Sequence, residues 1–140
     1  MKLDLSSYEK VIMQLEGALK TYSSHTVQNN PDLLIHVRAG AIQAFEFVYE
    51  LSWKLIKRSL EISEPTSEAI DQMSFLTLMR TASEKGLIKS DVNQWRLYRE
   101  YRSTTSHTYM SEKAELIFEK LPQFLDEARA LLTKLKEINI

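Results

Sequence analysis

The 140-residue sequence carries 18 Lys and Arg against 19 Asp and Glu, a formal net charge of −1, and no cysteine. Such a balance gives no global positive field to hold nucleic acid, so any contact of that kind must be local; the absence of thiols excludes disulfides and Cys-based metal sites. No apolar run approaches the roughly 20 residues of a membrane span, and the opening MKLDLSSYEK has no leader-like apolar stretch, so a soluble cytoplasmic protein with no membrane partner is expected.

With only three Gly and three Pro and apolar residues at helical spacing almost throughout, the chain predicts an all-α fold. A bundle of four to five helices is expected, with residues 1–140 forming one domain. The first helix is expected from Ser6, paired with Glu9 as a capping box. Its stripe is Tyr8, Val11, Ile12, Leu15, Leu19 and Tyr22. The polar run SSHTVQNNP ends it, and Asn30 with Pro31 opens a long second helix reaching about Leu60. This second helix is apolar on more than one side, a width that suits several partners, a second subunit among them. Gly40 inside it suggests a close helix crossing.

After Glu64, Pro65, Thr66 and Ser67, a third helix should run to Lys85, with Gly86 as its left-handed stop and Leu87 folding back. Ser90 or Asp91 caps the fourth, which carries Trp95, Tyr98 and Tyr101. The fifth follows from Ser111 to about Ile138. Its stripe runs from Ala114 through Ile117, Leu121, Leu125 and Ala128 to Leu135, and Pro122 should bend it.

Chemistry concentrates in WRLYREYRSTTSHTYM, from Trp95 to Met110. Arg102, His107 and Tyr109 follow the spacing R-x4-H-x-Y. Arginine fits phosphate oxygens two at a time, histidine titrates near neutral pH, and tyrosine adds a hydroxyl. On an unbroken helix at about 100° per residue, Arg102 and Tyr109 share a face but His107 lies roughly 140° from Arg102. The run Ser103, Thr104, Thr105 and Ser106 weakens a helix interior, so the helix should end between Ser106 and Tyr109 and turn His107 toward a cleft. Arg96, Arg99 and Arg102 recur every third residue, as a phosphate track or as a salt-bridged face. Glu46 and Glu50 share a helix face but have no Glu-x-x-His partner, so they read as interface or salt-bridge residues. His25 and His36 show no ligand spacing. No metal and no cofactor are expected.

The second helix reads RAGAIQAFEFVYELSWKLIKRSLE. With Gly86-Leu87-Ile88 and R-x4-SHTY, it resembles the nucleotidyltransferase substrate-binding family, HepT-like members of the HEPN superfamily, over about Arg38 to Phe118. The resemblance implies a homodimeric, up-and-down four- to five-helix bundle encoded beside a minimal nucleotidyltransferase. Where active, such proteins are metal-independent endoribonuclease toxins of toxin–antitoxin pairs. By the same resemblance, Arg102 would hold the scissile phosphate and His107 would move the proton of the attacking 2′-hydroxyl or of the leaving oxygen. Tyr109 would bind RNA and accept AMP from the partner, and the added bulk and negative charge would repel an RNA phosphate. Arg99, Ser103 and Ser106 complete the candidate RNA- or nucleotide-binding set. Relatives often have Asn where Ser103 stands, and a hydroxyl does not reproduce a two-ended amide. The alternative role is a non-catalytic subunit that offers a nucleotide or other substrate to the nucleotidyltransferase.

Overall fold

The computed structural model describes residues 2–64, 67–105 and 112–139. Seven α-helices and no strand are present among them: α1 (Ser6–Tyr22), α2 (His25–Gln28), α3 (Pro31–Ser63), α4 (Ser67–Asp71), α5 (Phe75–Glu84), α6 (Val92–Thr105) and α7 (Glu112–Ile138). The five long ones are the helices expected from the sequence. The short α2 is an addition within a run that read as a connection, and the expected third helix is divided into the short α4 and the longer α5. In α2, the Ser24 side chain accepts a hydrogen bond from the Val27 amide, and Val27 is buried. One anchored residue thus makes a turn of helix out of a polar run.

Local signals set most boundaries. Asn30 caps α3 by accepting from the amides of Asp32 and Leu33, and Asp91 caps α6 by accepting from Gln94. The stop after α5 is Gly86 at φ 76°, where the Leu87 amide reaches the Ala82 carbonyl and the Gly86 amide reaches Ser83. That pair of bonds satisfies two carbonyls that the helix end would otherwise strand.

Two expectations need correction. Ser6 is the first helical residue rather than a cap, because the Asp4 carboxylate accepts from both its amide and its hydroxyl. Glu9 meets Lys136 at 2.7 Å instead of closing a capping box. At Gly40, a Cβ would meet no described neighbour within 4 Å, so no close crossing of described helices accounts for that glycine.

The long α3 is the central element, packed most extensively on α1 and then on α7, while α4, α5 and α6 lie against its remaining face. This explains its width: Ala41, Ile42, Phe45, Val48, Tyr49, Ile56 and Leu60 are all buried, although they do not form one stripe. An aromatic cluster ties α6 and α7 to α3, with Phe124 set edge-on to Phe45 at 4.8 Å and to Tyr98 at 4.9 Å. Edge-to-face rings of this kind add to what their burial alone contributes. On the other side, Ser52 donates to the Val48 carbonyl, so its oxygen accepts from the buried Tyr8 hydroxyl at 2.7 Å. The chain ends are clasped where Asn139 exchanges two hydrogen bonds with the Leu3 backbone. No described helix is long and apolar enough to cross a membrane.

Candidate functional site

Arg102 sits in the last turn of α6, where that helix faces the middle of α3. Its Nη1 is 2.7 Å from Glu46 Oε2, and its Nε is 3.6 Å from Glu50 Oε1. The two carboxylates, one α3 turn apart, therefore grip one guanidinium. This bears out the reading of Glu46 and Glu50 as ion-pair residues and names their partner. Glu46 is buried, so its charge is offset by Arg102 rather than by water. Glu50 also accepts from the Trp53 indole at 3.2 Å, which joins that ring to the same polar network.

Arg102, Glu50 and Trp53 also line a cleft of about 400 Å³ between α3, α4, α5 and α6. Its apolar lining includes Tyr49, Trp53, Met73 and Phe75, and its cations are Lys57, Arg99 and Arg102. Lys57 pairs with Asp71 at 3.2 Å, whereas the Arg99 guanidinium lies over the Phe75 ring, 4.7 Å from its centroid. Arginine in that geometry is attracted to the ring face while its nitrogens stay available to an anion. Burial pushes the Tyr49 hydroxyl well above its ordinary value of 10.0 despite the opposing pull of Arg99, so it stays neutral and can donate a hydrogen bond. The exposed Ser103 also lines the cleft.

The structure thus brings together Arg99, Arg102 and Ser103 of the expected set. His107, Tyr109 and Ser106 lie outside the described residues, as do the expected end of the fourth helix and the Ser111 cap. Arg96 is exposed and does not line the cleft, so the three arginines do not form one track into it. Sequence reasoning missed Trp53, Lys57 and Phe75 as cleft residues. Tyr49, Trp53 and Lys57 recur every fourth residue along α3, a signal that also fits ordinary packing; nothing local marks Phe75. Among the described residues, no group of His, Asp and Glu is placed to hold a metal ion.

A family model described as "Nucleotidyltransferase substrate binding protein like" matches residues 3–137. The chain belongs to this family. A family relative from Haemophilus influenzae, named "Probable ribonuclease HepT", is 44% identical over 101 residues, covering 72% of this chain and 68% of the relative. The solved structure of HI0074 from the same species, described as the fold of a substrate binding domain of a nucleotidyltransferase, superposes with a TM-score of 0.88. It is 35% identical and covers 95% of this chain and 99% of its own. The match supports the overall helical arrangement of this substrate-binding family member.

Proposed function

We propose that this protein is a metal-independent endoribonuclease of the HepT type, the toxin of a two-protein toxin–antitoxin system whose other member is a minimal nucleotidyltransferase. The observation that carries this reading is Arg102, gripped by Glu46 and Glu50 at the edge of an aromatic cleft, five residues before His107. A guanidinium so fixed presents a preset direction to a phosphate, and preset electrostatics need little rearrangement as charge builds on the phosphoryl oxygens. Arg99, stacked on Phe75, adds a second cation one turn earlier. The name of the Haemophilus influenzae relative points the same way.

In the proposed reaction the RNA 2′-hydroxyl attacks the adjacent phosphorus, forming a 2′-O–P bond and breaking the P–O5′ bond. His107 takes or supplies the proton that this exchange requires, a task suited to a side chain titrating near neutrality. The products are a 2′,3′-cyclic phosphate and a 5′-hydroxyl. AMP addition to Tyr109 by the partner would silence the enzyme by placing bulk and negative charge where the RNA phosphate docks. The active form is a homodimer, and the half-exposed Phe47 on α3 supplies an apolar contact for the second copy.

Cleavage of mixed RNA by purified protein in excess EDTA tests this reading, with wild type beside His107→Gln and circular dichroism confirming that both are folded. Cleavage by wild type that is lost in the variant, with cyclic-phosphate ends, is the expected result. Absence of cleavage by folded wild type overturns the enzyme and leaves a non-catalytic substrate-binding subunit.

A further inference from the structure

We propose that the cleft beside Arg102 is a nucleobase subsite, which takes the base of one nucleotide against Trp53 and Phe75 while its phosphate meets Arg99 and Arg102. The inference rests on reading Arg102 as a phosphate-holding group and adds what the neighbouring part of the ligand must be. A phosphate site alone needs cations and amides. This cleft instead has aromatic and aliphatic walls, Trp53, Phe75 and Met73 among them, beside the cations Lys57, Arg99 and Arg102. Its volume of about 400 Å³ falls within the range of small-molecule sites and suits one planar ring system with its sugar.

The polar groups are distributed to match. The Arg99 guanidinium, 4.7 Å from the Phe75 centroid, extends the flat surface on which a base would stack and brings a cation beside it. Glu50 and the neutral Tyr49 hydroxyl give an acceptor and a donor at the cleft wall for the base edge. Lys57, held by Asp71, adds a third cation to the lining. An apolar peptide would leave these charges desolvated, and a bare anion would leave the aromatic walls unused. A base joined to a phosphate uses both.

Two sources share this chemistry, a free nucleotide and a residue of an RNA strand. Titration of the full chain by calorimetry with AMP, ribose 5-phosphate, and a short 2′-O-methylated RNA with and without one abasic residue tests the subsite and separates the sources. AMP is expected to bind about tenfold or more tightly than ribose 5-phosphate, the scale of one base–aromatic stack. Trp53→Ala should erase that difference, bringing AMP down to the affinity that ribose 5-phosphate shows for the same variant, while Trp53→Phe should retain most of it. An affinity loss on abasic replacement assigns the site to RNA; AMP binding with RNA indifferent to the replacement assigns it to a free nucleotide. Equal affinity of wild type for AMP and ribose 5-phosphate overturns the subsite, even if RNA is cleaved and the ribonuclease reading stands. Failure of the ribonuclease reading is a separate result, the absence of cleavage by protein that still discriminates AMP. Failure to bind any of the probes, in a dimer that Trp53→Ala converts to monomer, overturns the subsite in favour of a contact between copies of this chain.

Discussion

Replacing Arg102 by methionine keeps most of the aliphatic stem but removes the cation that offsets the buried Glu46 carboxylate. Glu46 is 7% exposed and lies 2.7 Å from the guanidinium, so it cannot turn to water without repacking α3 against α6. Breaking a buried pair by deleting one partner costs about 3–5 kcal/mol. Arg102 keeps 31% of its side chain in solvent, which lowers the expected loss to about 2–3 kcal/mol. For a chain of this length that loss corresponds to a melting temperature lower by about 6–12 °C. A double-mutant cycle by urea denaturation isolates the pair: Arg102→Met, Glu46→Gln, and both together. The double variant should be more stable than Arg102→Met alone, with a coupling of about 1.5 kcal/mol or more. A coupling below about 0.5 kcal/mol, the scale of an ordinary surface pair, would refute the claim that Glu46 and Arg102 stabilise one another as a largely buried pair. The cycle also bears on function, since activity lost in an Arg102 variant has two physical causes unless stability is measured beside it.

Gly86→Ala should destabilise the fold by about 1–2 kcal/mol, because an L side chain at its left-handed φ is strained; denaturant unfolding measures this, and an unchanged midpoint would contradict the stop described after α5. Burial pushes the Tyr98 hydroxyl from its ordinary value of 10.0 up to about 12, and it pushes Tyr8 and Tyr49 upward as well. Between those limits the unfolded chain has released protons that the folded one retains, so stability should hold below about pH 10 and fall from there toward pH 12. Melting curves recorded across that range check the sign, and a melting temperature that rose would contradict it. Phe47→Glu should convert the proposed homodimer to a folded monomer in sedimentation experiments; a wild type that is itself monomeric would remove that part of the proposal.

The features legible in the sequence were those set within a few residues. Asn30 before Pro31, Asp91 before α6, and Gly86 after α5 act on backbone groups one to five positions away, and each stands where its residue type requires. The apolar stripes of α1 and α7 were equally readable, since Tyr8, Ile12 and Leu15, and Ala114, Ile117, Leu121 and Ala128 all enter the core. Ser6 did not act as the cap read for it because its amide and hydroxyl both donate to Asp4, while the Glu9 amide goes to the Leu5 carbonyl. Arg102 was visible as a candidate and Glu46 and Glu50 as salt-bridge residues, yet their meeting depends on how α6 packs against α3 across more than fifty intervening residues. Phe75 was invisible for the same reason, as its place under Arg99 follows from the packing of α5 on α6.

The central claim is that an RNA phosphate docks on Arg102 at the mouth of the cleft. Its most direct test is a nitrogen-15 NMR titration with an uncleavable 2′-O-methylated RNA, following the Arg102 Nε–H and Trp53 indole signals in the full chain. Saturable shifts of both, weakened by added salt as expected for a phosphate contact, with the exposed Arg96 signal unmoved, are the predicted result. RNA binding that leaves Arg102 and Trp53 unshifted, or no binding at all, would contradict it.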